Sequence, residues 1–219
     1  GDRRWVDTTK VAEASKEAFK QVVRAGTPLG DDGIDRSYLE AEVRAVIKGR
    51  GIRSLEEYLE IQRTGRGTRF DGSRRRQAWA YMEEWNAGMA QHGTADFADT
   101  ITRAVEHAQS RSDASYRAAV IDEAQDLTLM GLQLVRTLVN GKRDDDRDDG
   151  LLIVGDGAQR IYPGAFTLRQ AGVEVRGRTT VLRLNYRNTA EILAAATTVL
   201  GNGPVVDMDD EDSDAPNRF

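Results

Sequence analysis

The chain has 219 residues, 39% of them hydrophobic and 31% charged, with no cysteine and a net charge of −5. Disulfide frameworks, thiolate zinc sites and cysteine nucleophiles are therefore excluded. The longest unbroken apolar run is the five residues Ile192–Ala196, far short of the roughly 20 that a membrane-spanning helix needs. The N-terminus, Gly-Asp-Arg-Arg-Trp, has no apolar signal core, so a cytoplasmic protein, or a piece of one, is the simplest expectation. The acid is concentrated in two runs, residues 142–149 and 207–214, and the rest of the chain is net basic. A nucleic-acid surface stays compatible with this balance.

The first half reads as helices. Over residues 9–25, Val11, Ala14, Ala18 and Val22 recur at near-helical spacing before Gly26 and Pro28 stop the element. Residues 37–48 repeat the pattern with Leu39, Val43, Val46 and Ile47, and Ser54 with Glu57 forms a capping box for a helix to Ile61. Ser73 is the expected cap of a longer helix to Gln91, with Gly93 ending it, and residues 95–109 carry Phe97, Ile101 and Val105. No strand pattern occurs before residue 116.

The second half changes period. Ala118–Ile121 and Leu151–Val154 are short apolar runs, each ending in acid or glycine, and residues between them read as a helix through Val139. Val181–Leu184 is a third strand candidate, followed by a helix capped by Asn188 and Glu191. Strands alternating with helices predict an α/β parallel sheet covered on both faces. The expected organisation is a mostly helical subdomain over 1–114, a sheet domain over 115–203, and an acidic linker or tail over 204–219.

Chemistry collects at the strand ends, where open α/β sheets hold their ligands. Asp122 and Glu123 follow the first strand directly. One such acid can hold Mg²⁺ through water, and the next can orient or deprotonate a water; an exposed turn with capping acids is the plainer alternative. Gly155-Asp-Gly-Ala-Gln-Arg160 follows the second strand. Its sixth position is not glycine, so it is no dinucleotide fingerprint, and Gln159 reads instead as a neutral polar sensor. Arg187 after the third strand is a planar cation suited to transferred phosphoryl oxygens, and Tyr186 can stack on a base. Arg63, Arg66, Arg69, Arg74, Arg75 and Arg76 form a cluster suited to phosphates or to a solvated face. Ala78, Tyr81, Trp85 and Met89 share a helical face and are expected in the core. His92 and His107 stand without partner ligands, and Asp144–Asp149 lack the glycine and terminal glutamate of a calcium loop.

Taken in order, these segments resemble the UvrD/Rep/PcrA-like superfamily 1 helicases. Val120–Asp126 looks like motif II, Gly155–Tyr162 like motif III and Leu182–Asn188 like motif IV. The resemblance implies a partial RecA-like (P-loop NTPase) domain, preceded over 1–114 by the helical insertion called 1B. It implies ATP and Mg²⁺ as cofactors, with Asp122 serving the metal, Glu123 activating water, Gln159 sensing the γ-phosphate and Arg187 acting as an arginine finger. Tyr186 would stack on adenine, with Gln125 beside the nucleotide or bracing its loop. Tyr162, or Phe166 in its stead, would contact DNA, as would the six arginines. Single-stranded and duplex DNA, with the remaining RecA-like domains of the same protein, are the implied partners. Movement would run 3′ to 5′, in repair or recombination.

The phosphate-binding loop Gly-x-x-x-x-Gly-Lys-Ser/Thr does not occur: Gly141-Lys142 is followed by Arg143. These 219 residues alone are therefore expected not to hydrolyse ATP. Two other readings stand beside the motor: a non-catalytic nucleic-acid or protein interaction module on the same scaffold, and part of a helicase–nuclease of the AddA/RecB type.

Overall fold

The computed structural model describes residues 5–61, 70–111, 116–140, 150–156, 166–175, 177–182 and 184–200. Helix α1 (Thr8–Val22) starts where the Asp7 carboxylate accepts the backbone N–H groups of Thr9 and Lys10, both at 3.1 Å. It buries Val11, Ala14, Ser15 and Ala18 against α5 (Gly72–Gln91). The predicted α5 face is realised, with Ala78, Tyr81, Trp85 and Met89 all buried. Gly88 lets the two helices approach, since a Cβ there would stand 3.1 Å from the Ala14 Cβ. Trp85 Nε1 donates to the Val11 carbonyl at 3.0 Å, and Tyr81 and Ser15 share a buried hydrogen bond. Burial pushes the Tyr81 phenol up to about 12. The helix is capped by Asp71 rather than by the expected Ser73. The Asp71 carboxylate takes the N–H groups of Ser73 and Arg74 and the Ser73 hydroxyl. A carboxylate at that position satisfies more orphan donors than a serine two residues later could.

Between these helices lie α2 (Pro28–Asp31), α3 (Arg36–Ala41), a π-wound continuation (Glu42–Lys48) and α4 (Leu55–Glu60). Gln77 holds the end of α1 and the start of α2 together, donating to the Val22 carbonyl and accepting from the Leu29 N–H, both at 2.8 Å. Ser54 caps α4 as expected, but the returning Glu57 carboxylate takes the N–H of Arg53, not of Ser54. Helix α6 (Phe97–Ser110) opens on a reciprocal capping box between Asp96 and Asp99. Lys48 reaches both carboxylates, at 3.0 and 2.8 Å, from a nearly closed position. Helices α1 to α5 share one hydrophobic cluster.

A second cluster surrounds the sheet. Strands β1 (Ala119–Ile121) and β2 (Leu151–Ile153) pair in parallel, Ala119 opposite Leu151 and Ile121 opposite Ile153. Helix α7 (Leu129–Asn140) lies between them in the chain, as parallel pairing requires. Ile121, Leu129, Leu132, Phe166, Leu168, Ala171 and Val173 pack together on one side. The clusters touch through α6 and α7 and through the Met130 N–H, which donates to the Gly49 carbonyl at 2.9 Å.

Two expectations are corrected. Val120 and Leu152 are exposed, so among the described residues the sheet is covered on one face, not both. The described part of Val181–Leu184 forms no strand, for among the described residues no neighbouring backbone offers it a ladder. Helix α8 (Ala190–Leu200) follows, with the Thr189 side chain and carbonyl at its start in place of the expected Asn188. Every described side chain from 177 to 199 is exposed. Among the described residues, no helix is long and apolar enough to cross a membrane. The 204–219 segment lies outside the described residues.

Candidate functional site

Parallel pairing brings the C-terminal ends of β1 and β2 to the same edge of the sheet. The chain leaving β1 is Asp122-Glu123-Ala124-Gln125, and the chain leaving β2 is Val154-Gly155-Asp156. Backbone bonds lace the two exits together: the Val154 N–H donates to the Ile121 carbonyl at 2.8 Å, and the Ala124 N–H donates to the Val154 carbonyl at 3.0 Å. A short 3₁₀ turn (Ala124–Asp126) then carries the chain toward α7.

Asp122 and Glu123 are both exposed at this edge. The Glu123 N–H donates to Asp122 Oδ1 at 3.0 Å, which fixes the first carboxylate against the adjoining backbone. Glu123 has φ 52° and ψ 44°, the one non-glycine residue with positive φ among those described. That conformation costs an L-residue about 1–2 kcal/mol. Such strain concentrates where a side chain must be aimed in one direction.

Gln125 holds this turn. It is 4% exposed, and both ends of its amide are engaged. Nε2 donates to Glu123 Oε2 at 2.5 Å, while Oε1 accepts the Asp156 N–H at 3.0 Å. The opposite amide orientation would set NH₂ against N–H and oxygen against carboxylate, so the network admits one arrangement. Gly155 packs closely beside it: a Cβ there would stand 2.9 Å from Gln125 Oε1, so the amide would have to shift, and 3.4 Å from the Ala124 Cβ. Both amide atoms of Gln125 are thus engaged within the protein, as a bracing role requires.

The metal expectation can be tested on the donor set. Asp122 and Glu123 supply hard carboxylate oxygens at an open edge. That suits Mg²⁺, which takes one or two carboxylates and completes its shell with water and phosphate. The residues present fit that ion.

The other expected site residues fare differently. Gln159 and Tyr162 lie outside the described residues, as do Arg63, Arg66 and Arg69. Tyr186 and Arg187 are exposed, Tyr186 at 90%, on the unpacked segment before α8. There the Asn185 side chain accepts the N–H groups of Arg187 and Asn188 at 2.8 and 3.0 Å, so the local turn is formed. Phe166 is buried, 4% exposed, in the sheet's core cluster.

The arginine cluster also divides. Arg74 pairs with Asp32 and Asp71, and its hydrogen bond holds the Asp32 carboxyl below its ordinary value. Arg75 Nη1 donates to the carbonyls of Tyr58, Leu59 and Ile61, at 2.8, 2.9 and 3.0 Å, closing the end of α4. Arg76 is exposed. Among the described members of the cluster, Arg74 and Arg75 are thus engaged within the fold.

The fold and its site define an α/β protein with paired acids at a strand-end edge and a helical region before them. Residues 7–173, about three quarters of the chain, match the family model of the UvrD/REP helicase N-terminal domain, and the chain belongs to that helicase family. The match spans both strand exits and ends before Tyr186 and Arg187. No curated protein matches the chain.

Proposed function

We propose that the chain contributes the acidic, water-activating part of an ATP-driven DNA helicase or translocase. In this reading it acts in the cytoplasm, moving 3′ to 5′ on single-stranded DNA and opening duplex during repair or recombination. The observation that carries the reading is the exposed Asp122–Glu123 pair at the end of β1, beside the exit of β2, in a chain of this family.

Asp122 would hold Mg²⁺, which supplies charge neutralisation on the phosphates when bound. Glu123 accepts a proton from the attacking water and orients it in line. Gln159 reports the presence of the γ-phosphate, Tyr186 stacks on adenine, and Arg187 meets the charge that develops on the transferred group. Tyr162, Arg63, Arg66, Arg69 and Arg76 are the remaining candidates for contacts to DNA. The residues between Arg187 and the acids must close over the nucleotide for the finger to act, and a second RecA-like domain is the partner that would bring this about. No Gly-x-x-x-x-Gly-Lys-Ser/Thr occurs in the 219 residues, so turnover requires a phosphate cradle from outside them.

A titration of the ¹⁵N-labelled chain with Mg²⁺ and ATP tests the site. The amides of Asp122, Glu123, Gly155 and Asp156 are expected to shift together at millimolar ligand, with no measurable turnover. Shifts absent from these four, or confined to residues elsewhere, overturn the reading. DNA-stimulated hydrolysis by the purified chain would overturn the requirement for an added cradle.

A further inference from the structure

We propose that Gln125 is a positioning residue that aims the Glu123 carboxylate and ties it to the backbone leaving β2. The inference rests on the nucleotide-site reading for its consequence, but its geometry stands independently. Three observations converge. Gln125 is a buried polar side chain whose two amide atoms bond to different exits, Glu123 on one and Asp156 on the other. Glu123 sits in a left-handed backbone conformation, which by itself favours other geometries and needs a restraint. Gly155 leaves room for no side chain between them.

The physics of the link follows from the amide. Its N–H₂ donates to a charged acceptor, which polarises the group and makes Oε1 a better acceptor for the Asp156 N–H. A movement of the β2 exit pulls on Oε1, and the rigid planar amide carries that movement to Nε2 and so to Glu123. Asparagine is one methylene too short to span both partners, and glutamate would oppose one carboxylate with another.

The test is the Asp156 amide resonance in the ¹⁵N-labelled 219-residue chain. Four proteins are compared: wild type, Glu123→Gln, Gln125→Met and the double variant. Methionine keeps most of the buried volume and removes both hydrogen bonds. Gln125→Met is expected to speed Asp156 amide exchange by roughly five- to tenfold, as loss of one hydrogen bond implies. Glu123→Gln is expected to move the Asp156 amide proton upfield when Gln125 is present. In the Gln125→Met background, where both bonds are gone, the same change is expected to leave it unmoved. An Asp156 resonance indifferent to Glu123→Gln, or equally displaced in both backgrounds, overturns the proposal; a merely space-filling glutamine gives one of those results. Should Gln125→Met fail to fold, Gln125→Leu, which also removes both hydrogen bonds while keeping apolar volume, takes its place in the same four-way comparison. The nucleotide reading fails separately, on the Mg²⁺ and ATP titration, which does not enter this comparison.

Discussion

Replacing Lys48 by methionine should be among the most damaging single changes in the helical cluster. The Lys48 side chain is 8% exposed and its ammonium lies 3.0 Å from Asp96 and 2.8 Å from Asp99, whose side chains are 3% and 26% exposed. Methionine reproduces the stem against Trp85 and creates little cavity, so packing contributes little to the loss. What remains is a closed-off Asp96 carboxylate that still accepts the Asp99 N–H at 2.8 Å. Breaking one side of a buried pair costs about 3–5 kcal/mol, a large share of the ~5–15 kcal/mol typical of a whole domain. Urea unfolding followed by tryptophan fluorescence reads it directly, because Trp85 stands 5.7 Å from the Lys48 ammonium. With a slope of about 2 kcal/mol per molar, the midpoint should fall by roughly 1.5–2.5 M. Adding Asp96→Asn and Asp99→Asn to Lys48→Met should recover most of that loss, since an asparagine at the first position still caps α6 and no charge is stranded. A single variant within about 1 kcal/mol of wild type, or a triple variant no better than the single, would refute this account of the pair.

The split within the arginine cluster makes a paired prediction: Arg75→Met leaves three carbonyls at the end of α4 without their donor and should cost about 2–3 kcal/mol in chemical denaturation, whereas Arg76→Met should leave the midpoint unchanged. If Arg76 contacts phosphates, the same substitution lowers the salt slope of single-stranded DNA binding by about one; an unchanged slope removes it from the interface. The Asp71 carboxyl is held down to about 2 by the Arg74 N–H and then the Ser73 hydroxyl. Because the folded value lies below the ordinary 3.8, its stabilisation is complete above that value and is lost as pH falls toward 2. The Asp71 side-chain carbon should therefore titrate near 2, and loss of amide protection at the start of α5 should track it; a midpoint at the ordinary value would contradict the cap. Gly155→Ala should push the Gln125 amide aside and speed Asp156 amide exchange several-fold, and an unaltered rate would show that the exit of β2 can yield without disturbing Gln125.

The helical half is legible in the sequence because its signals are local. The 3.6-residue recurrence of Ala78, Tyr81, Trp85 and Met89 records one buried face, and that face is the core. Caps are less secure, because Asp71 and Ser73 are both good capping residues and only backbone geometry chooses between them. The acids stand out at the end of β1 because an apolar run ending in Asp-Glu is itself the pattern. The Gln125–Asp156 and Arg75–α4 pairings escape for the opposite reason: the partners lie on other segments, Asp156 31 positions along the chain and the α4 carbonyls 14 to 17 positions back. No spacing rule reports such pairings. The strand expected at Val181–Leu184 has apolar residues enough, but a strand needs a neighbour as well as a composition. Phe166 draws its expected role from its place beside a motif, whereas the apolar neighbours Leu168, Ala171 and Val173 decide its burial.

The uncovered side of β1 and β2 has a practical consequence. Val120 is 73% exposed, Leu152 58% and Val154 43%, three aliphatic side chains on a short parallel ribbon and its exit. Such a stripe is an adhesive surface in water, prone to meeting its own kind before anything else. Preparations of this polypeptide should accordingly be driven toward aggregates by concentration and kosmotropic salt. Threonine or lysine in place of Val120 and Leu152 would be the first substitutions to try for a monodisperse sample, since neither position lies in the strand exits that bear the acids.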